Sequence, residues 1–139
     1  MKRTASCACG KTRITVDGEP IHSFACHCDY CQKLTGSLMI AAAVFREEDV
    51  IETSQDTAVF QGFEKFPNGK RFFCSTCGAG VHWINPDVFP GMRLIAIGAF
   101  ADREFPGPEI VYQTQYRHPW QGPIECAMSF TAYPVESDA

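Results

Sequence analysis

No stretch of the chain approaches the roughly 18 consecutive apolar residues that a membrane-spanning helix needs. The longest apolar run, 38–45, has the length of a strand. Positive charge is also scarce: 12 Lys and Arg stand against 16 Asp and Glu, for a net charge of −4. A phosphate-binding surface needs clustered cations, and the basic pair Lys70-Arg71 lies beside a cysteine pair instead. Neither a nucleic acid nor a membrane is expected as a partner. Met1-Lys2-Arg3 is followed by no apolar segment, so the N-terminus does not read as a secretory leader. Repeats, low-complexity tracts and linkers are missing too, and a chain of 139 residues fits one domain over 1–139. Uninterrupted helical windows are the last absence. Nine prolines and eleven glycines punctuate the chain and leave no room for long helices.

What remains is a succession of short β-branched and aromatic runs between turn residues. Strands are expected over 11–16, 21–27, 38–45, 58–61, 70–74, 80–84, 93–100, 111–116 and 128–133. The run at 38–45 is apolar almost throughout and reads as a buried strand. One short helix is expected over 29–34, stopping at Gly36, and a single turn over 47–50. The fold class is therefore mainly β with little helix. The eleven phenylalanines suit its core.

Against this background the eight cysteines stand out. With no export signal they are expected in a reducing cytoplasm, where clustered Cys reads as metal binding rather than disulfides. Seven fall in three groups: Cys7 and Cys9, then Cys26, Cys28 and Cys31, then Cys74 and Cys77. Cys74-x-x-Cys77-Gly78 has the form of a zinc half-site, in which the glycine allows a left-handed backbone step. In an extended segment Cys7 and Cys9 would share a face, with Ala8 turned away. Cys26 and Cys28 would share a face in the same way, and Cys31 would return one helical turn later. That alternation turns His27 away from a metal. Spacing leaves the pairing of the groups open. Two pairs make one four-thiolate site and leave the trio by itself, but Cys7 and Cys9 could instead join two members of the trio.

The number of ligands matters chemically. Structural zinc sites are closed by four ligands, and catalytic ones keep a position open. A thiol that enters an open position loses its proton. Three thiolates already donate much charge to the ion, so a bound water should be acidified less than it is by three neutral His ligands. A trio therefore suits capture of a thiol better than hydrolysis.

Cys-x-Cys-Gly at 7–10, Cys26-His27-Cys28-x-x-Cys31 followed by Gly36-Ser37, and Phe73-Cys74-x-x-Cys77-Gly78 together resemble the glutathione-dependent formaldehyde-activating enzyme family. The motifs span Cys7 to about Trp83, and the strand pattern continues beyond them. The resemblance implies a β-tent fold of several coiled antiparallel sheets stapled by zinc. It implies two zinc ions per chain, a structural one on Cys7, Cys9, Cys74 and Cys77 and a catalytic one on Cys26, Cys28 and Cys31. It also implies a carbon–sulfur lyase or synthase whose partners are glutathione and an aldehyde, forming or cleaving S-hydroxymethylglutathione. The family often carries a basic pair after the trio. Here Gln32-Lys33 stands there, leaving Lys33 as the candidate anchor for a glutathione carboxylate.

Other residues offer less. His82-Trp83 and His118-Pro119-Trp120 either line a pocket or pack in the core, and packing is the expectation for both. Arg71 reads equally as a substrate contact or a surface strand residue. Cys126 stands alone and reads as a small buried hydrophobe. Two rival functions follow from the same residues. A non-catalytic zinc-stapled binding module would complete the trio with a fourth protein ligand. A methionine-sulfoxide-reductase-B-like enzyme would need Cys126 as a free nucleophile, and no Arg or His flanks it.

Overall fold

The computed structural model describes residues 1–125 and 128–133. The protein is mainly β, with one α-helix among the described residues. No helix among the described residues is long and apolar enough to cross a membrane. The seven cysteines in the three groups are all free thiols. Cys126 lies outside the described residues.

The chain forms two compact units, Met1–His22 with Ala43–Phe105, and Ser23–Ala42 with Pro106–Ala139. In the first unit, β1 (Lys2–Ser6) pairs antiparallel with β2 (Arg13–Asp17), and β2 with β5 (Val50–Thr53). Alternation sets the buried face: Ile14 and Val16 point inward from β2, while Arg13 and Asp17 face solvent. A second antiparallel set joins β6 (Thr57–Gln61), β7 (Lys70–Cys74), β8 (Gly80–Ile84) and β9 (Met92–Ala96) in sequence. The core of this unit contains Ala5, Ile14, Val16, Phe45, Val81, Ile95 and Phe105. Cys7 and Cys74 belong to the same cluster. In the second unit, β3 (His22–Cys26) leads to α1 (Asp29–Thr35), and β10 (Ile110–Tyr112) lies between β3 and β11 (Met128–Ser129). Both β10 pairings are parallel, unlike the antiparallel ladders of the first unit. The division between the units falls within β4 (Ile40–Arg46), whose residues Ala42 to Phe45 are buried.

Helix α1 stops where expected. Gly36 adopts a left-handed conformation (φ 69°), and its N–H reaches the carbonyl of Gln32 at 2.7 Å. Two expected strands are shorter than their apolar runs. After β9 the chain turns into a 3₁₀ segment, Ile97–Phe100, and after β10 into another, Thr114–Tyr116. Ala101 and Gln113 take left-handed conformations at these breaks. The expected strand over 128–133 is only two residues long. Strands β1 and β5 are polar enough to escape a hydrophobic reading, and both are held by the β2 ladder.

His82 on β8 is packing material, as expected. It is buried, stacks on Phe72 with ring centroids 4.8 Å apart, and its Nδ1 lies 2.9 Å from the Arg93 guanidinium. Arg93 also grips Glu47 through two bonds, of 2.9 and 2.6 Å. The arginine donates to Nδ1, so that nitrogen carries no proton and the ring is neutral. Burial, aided by the Arg93 charge, pulls its pKa from 6.5 to about 3. When unfolded, the imidazole binds a proton near 6.5; when folded it refuses one until about 3. The stabilising contribution is complete above pH 6.5 and is lost as pH falls toward 3, at up to about 1.4 kcal/mol per pH unit. We expect thermal melts between pH 7 and 4 to show a steeper loss of stability in the wild type than in His82→Gln. Parallel curves would refute this assignment.

Arg71 on β7 is half-buried, and its guanidinium fills the space where a side chain at position 80 would stand. A side chain at Gly80 on β8 would have to displace the end of the Arg71 side chain.

Candidate functional site

The first cysteine group is built from two turns of the first unit. Cys7 follows β1, and residues 7–9 form a turn rather than the extended segment expected from i, i+2 spacing. The Gly10 N–H bonds to the Cys7 carbonyl (3.1 Å), and Gly10 itself is left-handed. The turn brings the sulfurs together all the same. Cys7 Sγ and Cys9 Sγ are 3.6 Å apart, and Cys9 Sγ and Cys74 Sγ 3.5 Å. Cys74 ends β7, and the Gly78 N–H closes the following turn on its carbonyl at 2.8 Å. The four ligand atoms of Cys7, Cys9, Cys74 and Cys77 all lie within 4.8 Å of one another. A tetrahedral zinc with Zn–S bonds of about 2.3 Å requires S···S edges of roughly 3.8 Å. The Cys7–Cys9 and Cys9–Cys74 distances lie near that value.

Backbone donors surround these sulfurs. The Thr12 N–H points at Cys7 Sγ (3.2 Å), and the N–H groups of Thr76 and Cys77 at Cys74 Sγ (3.4 Å each). The Cys77 N–H is the main reason the Cys74 thiol falls to about 5. At Cys9 the Lys11 N–H pulls downward, but desolvation and the three neighbouring thiols outweigh it and raise the thiol to about 11.

The trio belongs wholly to the second unit. Cys26 ends β3, Cys28 caps the N-terminus of α1, and Cys31 sits in its first turn. The Cys31 N–H bonds to Cys28 Sγ at 3.2 Å, so the sulfur does the work of a helix-capping oxygen. Cys28 Sγ and Cys31 Sγ are 3.0 Å apart, all three residues are buried, and all three sulfurs lie within 4.8 Å. Among the described residues no His, Asp or Glu joins this group. Hydrogen bonding from Cys31, with help from Tyr133 and the Cys28 backbone, outweighs burial and lowers the Cys26 thiol to about 6. As the donor to Cys26 and a buried group, Cys31 moves the opposite way. Both cysteine groups have the donor chemistry of a metal site and sulfurs within 4.8 Å of one another, compatible with zinc, with the 3.0 Å between Cys28 and Cys31 shorter than a zinc tetrahedron's edge.

His27, between Cys26 and Cys28 in sequence, is fully buried. Burial lowers its pKa, with a partial counter-effect from the Leu38 backbone, so it is a neutral packing ring. Lys33 is exposed in the last turn of α1.

Two residues escaped the sequence reading. Tyr133 places its hydroxyl 2.8 Å from Cys26 Sγ and 3.8 Å from Cys28 Sγ, across more than 100 residues of chain. No spacing rule reaches that far. Gln32 has a use for its amide that a basic residue could not serve. Its nitrogen donates to the carbonyls of His27 (2.8 Å) and Tyr116 (3.3 Å), and its oxygen lies 2.8 Å from His118 Nε2. A lysine has no acceptor for that last bond. Trp120, expected to pack, is 72% exposed, with its ring 5.6 Å from His118.

Comparison with known proteins adds a family to this geometry. The family model described as glutathione-dependent formaldehyde-activating enzyme matches residues 2–116. A crystal structure of a Rhodobacter sphaeroides protein is similar with a TM-score of 0.54 and 24% identity, over 69% of this chain and 85% of that one. At that identity the likeness concerns the fold. No protein of curated function matches the chain.

Proposed function

The chain belongs to the glutathione-dependent formaldehyde-activating enzyme family, and from that premise we propose that it is a zinc-dependent carbon–sulfur lyase or synthase acting on adducts of glutathione with an aldehyde. The observation that carries the reading is the unequal size of the two cysteine groups: four sulfurs close one site, and three buried sulfurs leave the other short by one ligand. We assign Cys7, Cys9, Cys74 and Cys77 to a structural zinc and Cys26, Cys28 and Cys31 to the working one. Zinc bound there supplies a Lewis acid that holds an incoming thiol as thiolate.

The chain's own residues do the rest. The first turn of α1 fixes Cys28 and Cys31 before any ligand arrives, and β3 fixes Cys26. The buried, neutral His27 ring helps keep water from the sulfurs. Lys33, exposed near the end of the helix, is a candidate partner for a glutathione carboxylate. In the forward direction the glutathione sulfur bonds to the aldehyde carbon. The C=O π pair moves to oxygen, which takes up the proton the thiol released. The reverse reaction breaks the same C–S bond. Orientation of a desolvated thiolate supplies most of the acceleration. A cytoplasmic, reducing compartment suits seven free thiols.

The non-catalytic binding module is the rival, and one experiment separates the two. Magnetization-transfer NMR on glutathione and ¹³C-formaldehyde should show adduct exchange well above the uncatalysed rate when the zinc-loaded protein is added. A rate equal to background would leave only a zinc-stapled protein.

A further inference from the structure

Sulfurs in both cysteine groups accept hydrogen bonds from backbone N–H groups, and one sulfur of the trio also faces a tyrosine hydroxyl. Around the four-cysteine group, Cys7 and Cys74 take their hydrogen bonds from the backbone N–H groups of Thr12, Thr76 and Cys77. These donors are fixed by turns. In the trio the Cys31 N–H serves Cys28 and the Cys28 backbone serves Cys26, and Cys26 also faces a side chain, the Tyr133 hydroxyl at 2.8 Å. A hydroxyl rotates to suit its acceptor, which a backbone N–H cannot do. The same hydroxyl already lies 3.8 Å from Cys28 Sγ.

The segment carrying Tyr133 is tied down within the second unit. The Phe130 N–H bonds to the Val111 carbonyl (2.8 Å), and the Thr114 N–H to the Phe130 carbonyl (3.1 Å). The Tyr133 ring lies 5.5 Å from that of Tyr112, which stacks on Phe130 at 5.9 Å and meets Phe24 edge-on at 5.8 Å. The ring is therefore anchored on one side, while the residue is 41% exposed.

A fourth thiolate would bring the trio's complex to two net negative charges in a partly buried site. Hydrogen bonds to charged acceptors are the strong ones, and the Tyr133 hydroxyl is a donor that can turn toward a new sulfur. We propose that Tyr133 is a positioning residue for the trio: its hydroxyl donates to Cys26 Sγ in the resting site and shares that hydrogen with the incoming substrate thiolate. A metal-bound sulfur carries no proton, so the hydroxyl is the donor. The inference rests on the trio being the thiol-binding metal site.

Tyr133→Phe keeps the ring and its packing and removes only the donor. The test uses full-length protein loaded with cobalt under anaerobic conditions. A hydrogen bond lowers the energy of the sulfur lone pair. Its removal should therefore move the trio's sulfur-to-cobalt charge-transfer band to longer wavelength, while the four-cysteine group contributes equally in both proteins. Glutathione should bind about tenfold or more weakly to the variant. Tyr112→Phe, which trims a hydroxyl from the same ring cluster, should leave the band in place. Superimposable resting bands for wild type and Tyr133→Phe would overturn the role of Tyr133, as would an equal shift in Tyr112→Phe. A wild-type spectrum that ignores glutathione overturns the thiol-binding reading instead, and the resting bands still decide the hydrogen bond.

Discussion

On the proposed assignment of a structural and a working zinc, Cys77→Ser is expected to lose one of the two ions and most of the folded population at physiological temperature. Cys77 is exposed, and serine is nearly its size, so lost packing cannot account for the effect. The damage comes through the other ligands. Cys7 and Cys74 are part of the first unit's core, beside Ala5, Ile14, Val81 and Ile95. With a ligand gone, the remaining sulfurs either bind the ion weakly or bring unpaired polar groups into that core. Structural zinc contributes folding free energy directly, because the unfolded chain has no preformed site. A loss of several kcal/mol in a domain of this size lowers the melting temperature by about 10 °C or more. Metal content by plasma emission and a circular dichroism melt would check both parts. Wild-type zinc content with an unchanged melt would remove the four-cysteine group from the structural role.

Much of this site was legible in the sequence because metal chelation is local. The Cys-x-x-Cys turn at 74–77, the helix-borne Cys31 and the stop at Gly36 each follow from a few adjacent residues. The strands β7 and β8 were equally plain, since their β-branched and aromatic residues sit between clear turn signals. What escaped was set by tertiary context. The turn at Cys7–Cys9 looks like a strand on alternation alone, yet the Gly10 N–H folds it back on the Cys7 carbonyl. The polar strands β1 and β5 exist because β2 offers both its edges. The parallel pairing of β10 with β3 joins segments more than 80 residues apart, and no local pattern encodes such a partner. Tyr133 was invisible for the same reason. Its neighbours in sequence say nothing of sulfur, and the pairings of β10 with β3 and β11, with the Tyr112 ring, bring it near Cys26.

Cys28→Ser provides the sharpest contrast with Cys77→Ser, because here the substitution preserves the fold by design. Cys28 is the N-cap of α1, and its sulfur accepts the Cys31 N–H. Serine is among the best N-cap residues, and its oxygen can accept the same bond. The helix, Gln32 with its three partners and the β3–β10 pairing should all persist. What is lost is one of three ligands, and with it the trio's hold on a metal. Replacing a group behind a metal ligand already costs about ten- to a hundredfold in affinity or activity, and loss of the ligand itself should cost more. The variant should therefore melt within a few degrees of wild type, carry one zinc instead of two, and return glutathione–formaldehyde exchange to the uncatalysed rate. Metal analysis, a thermal melt and the NMR exchange experiment on the same sample read these three outcomes separately. If Cys28→Ser unfolded while Cys77→Ser stayed intact, the structural and working roles would be exchanged. If Cys28→Ser kept both zinc ions and full exchange, the three-sulfur group would not be the reacting site at all.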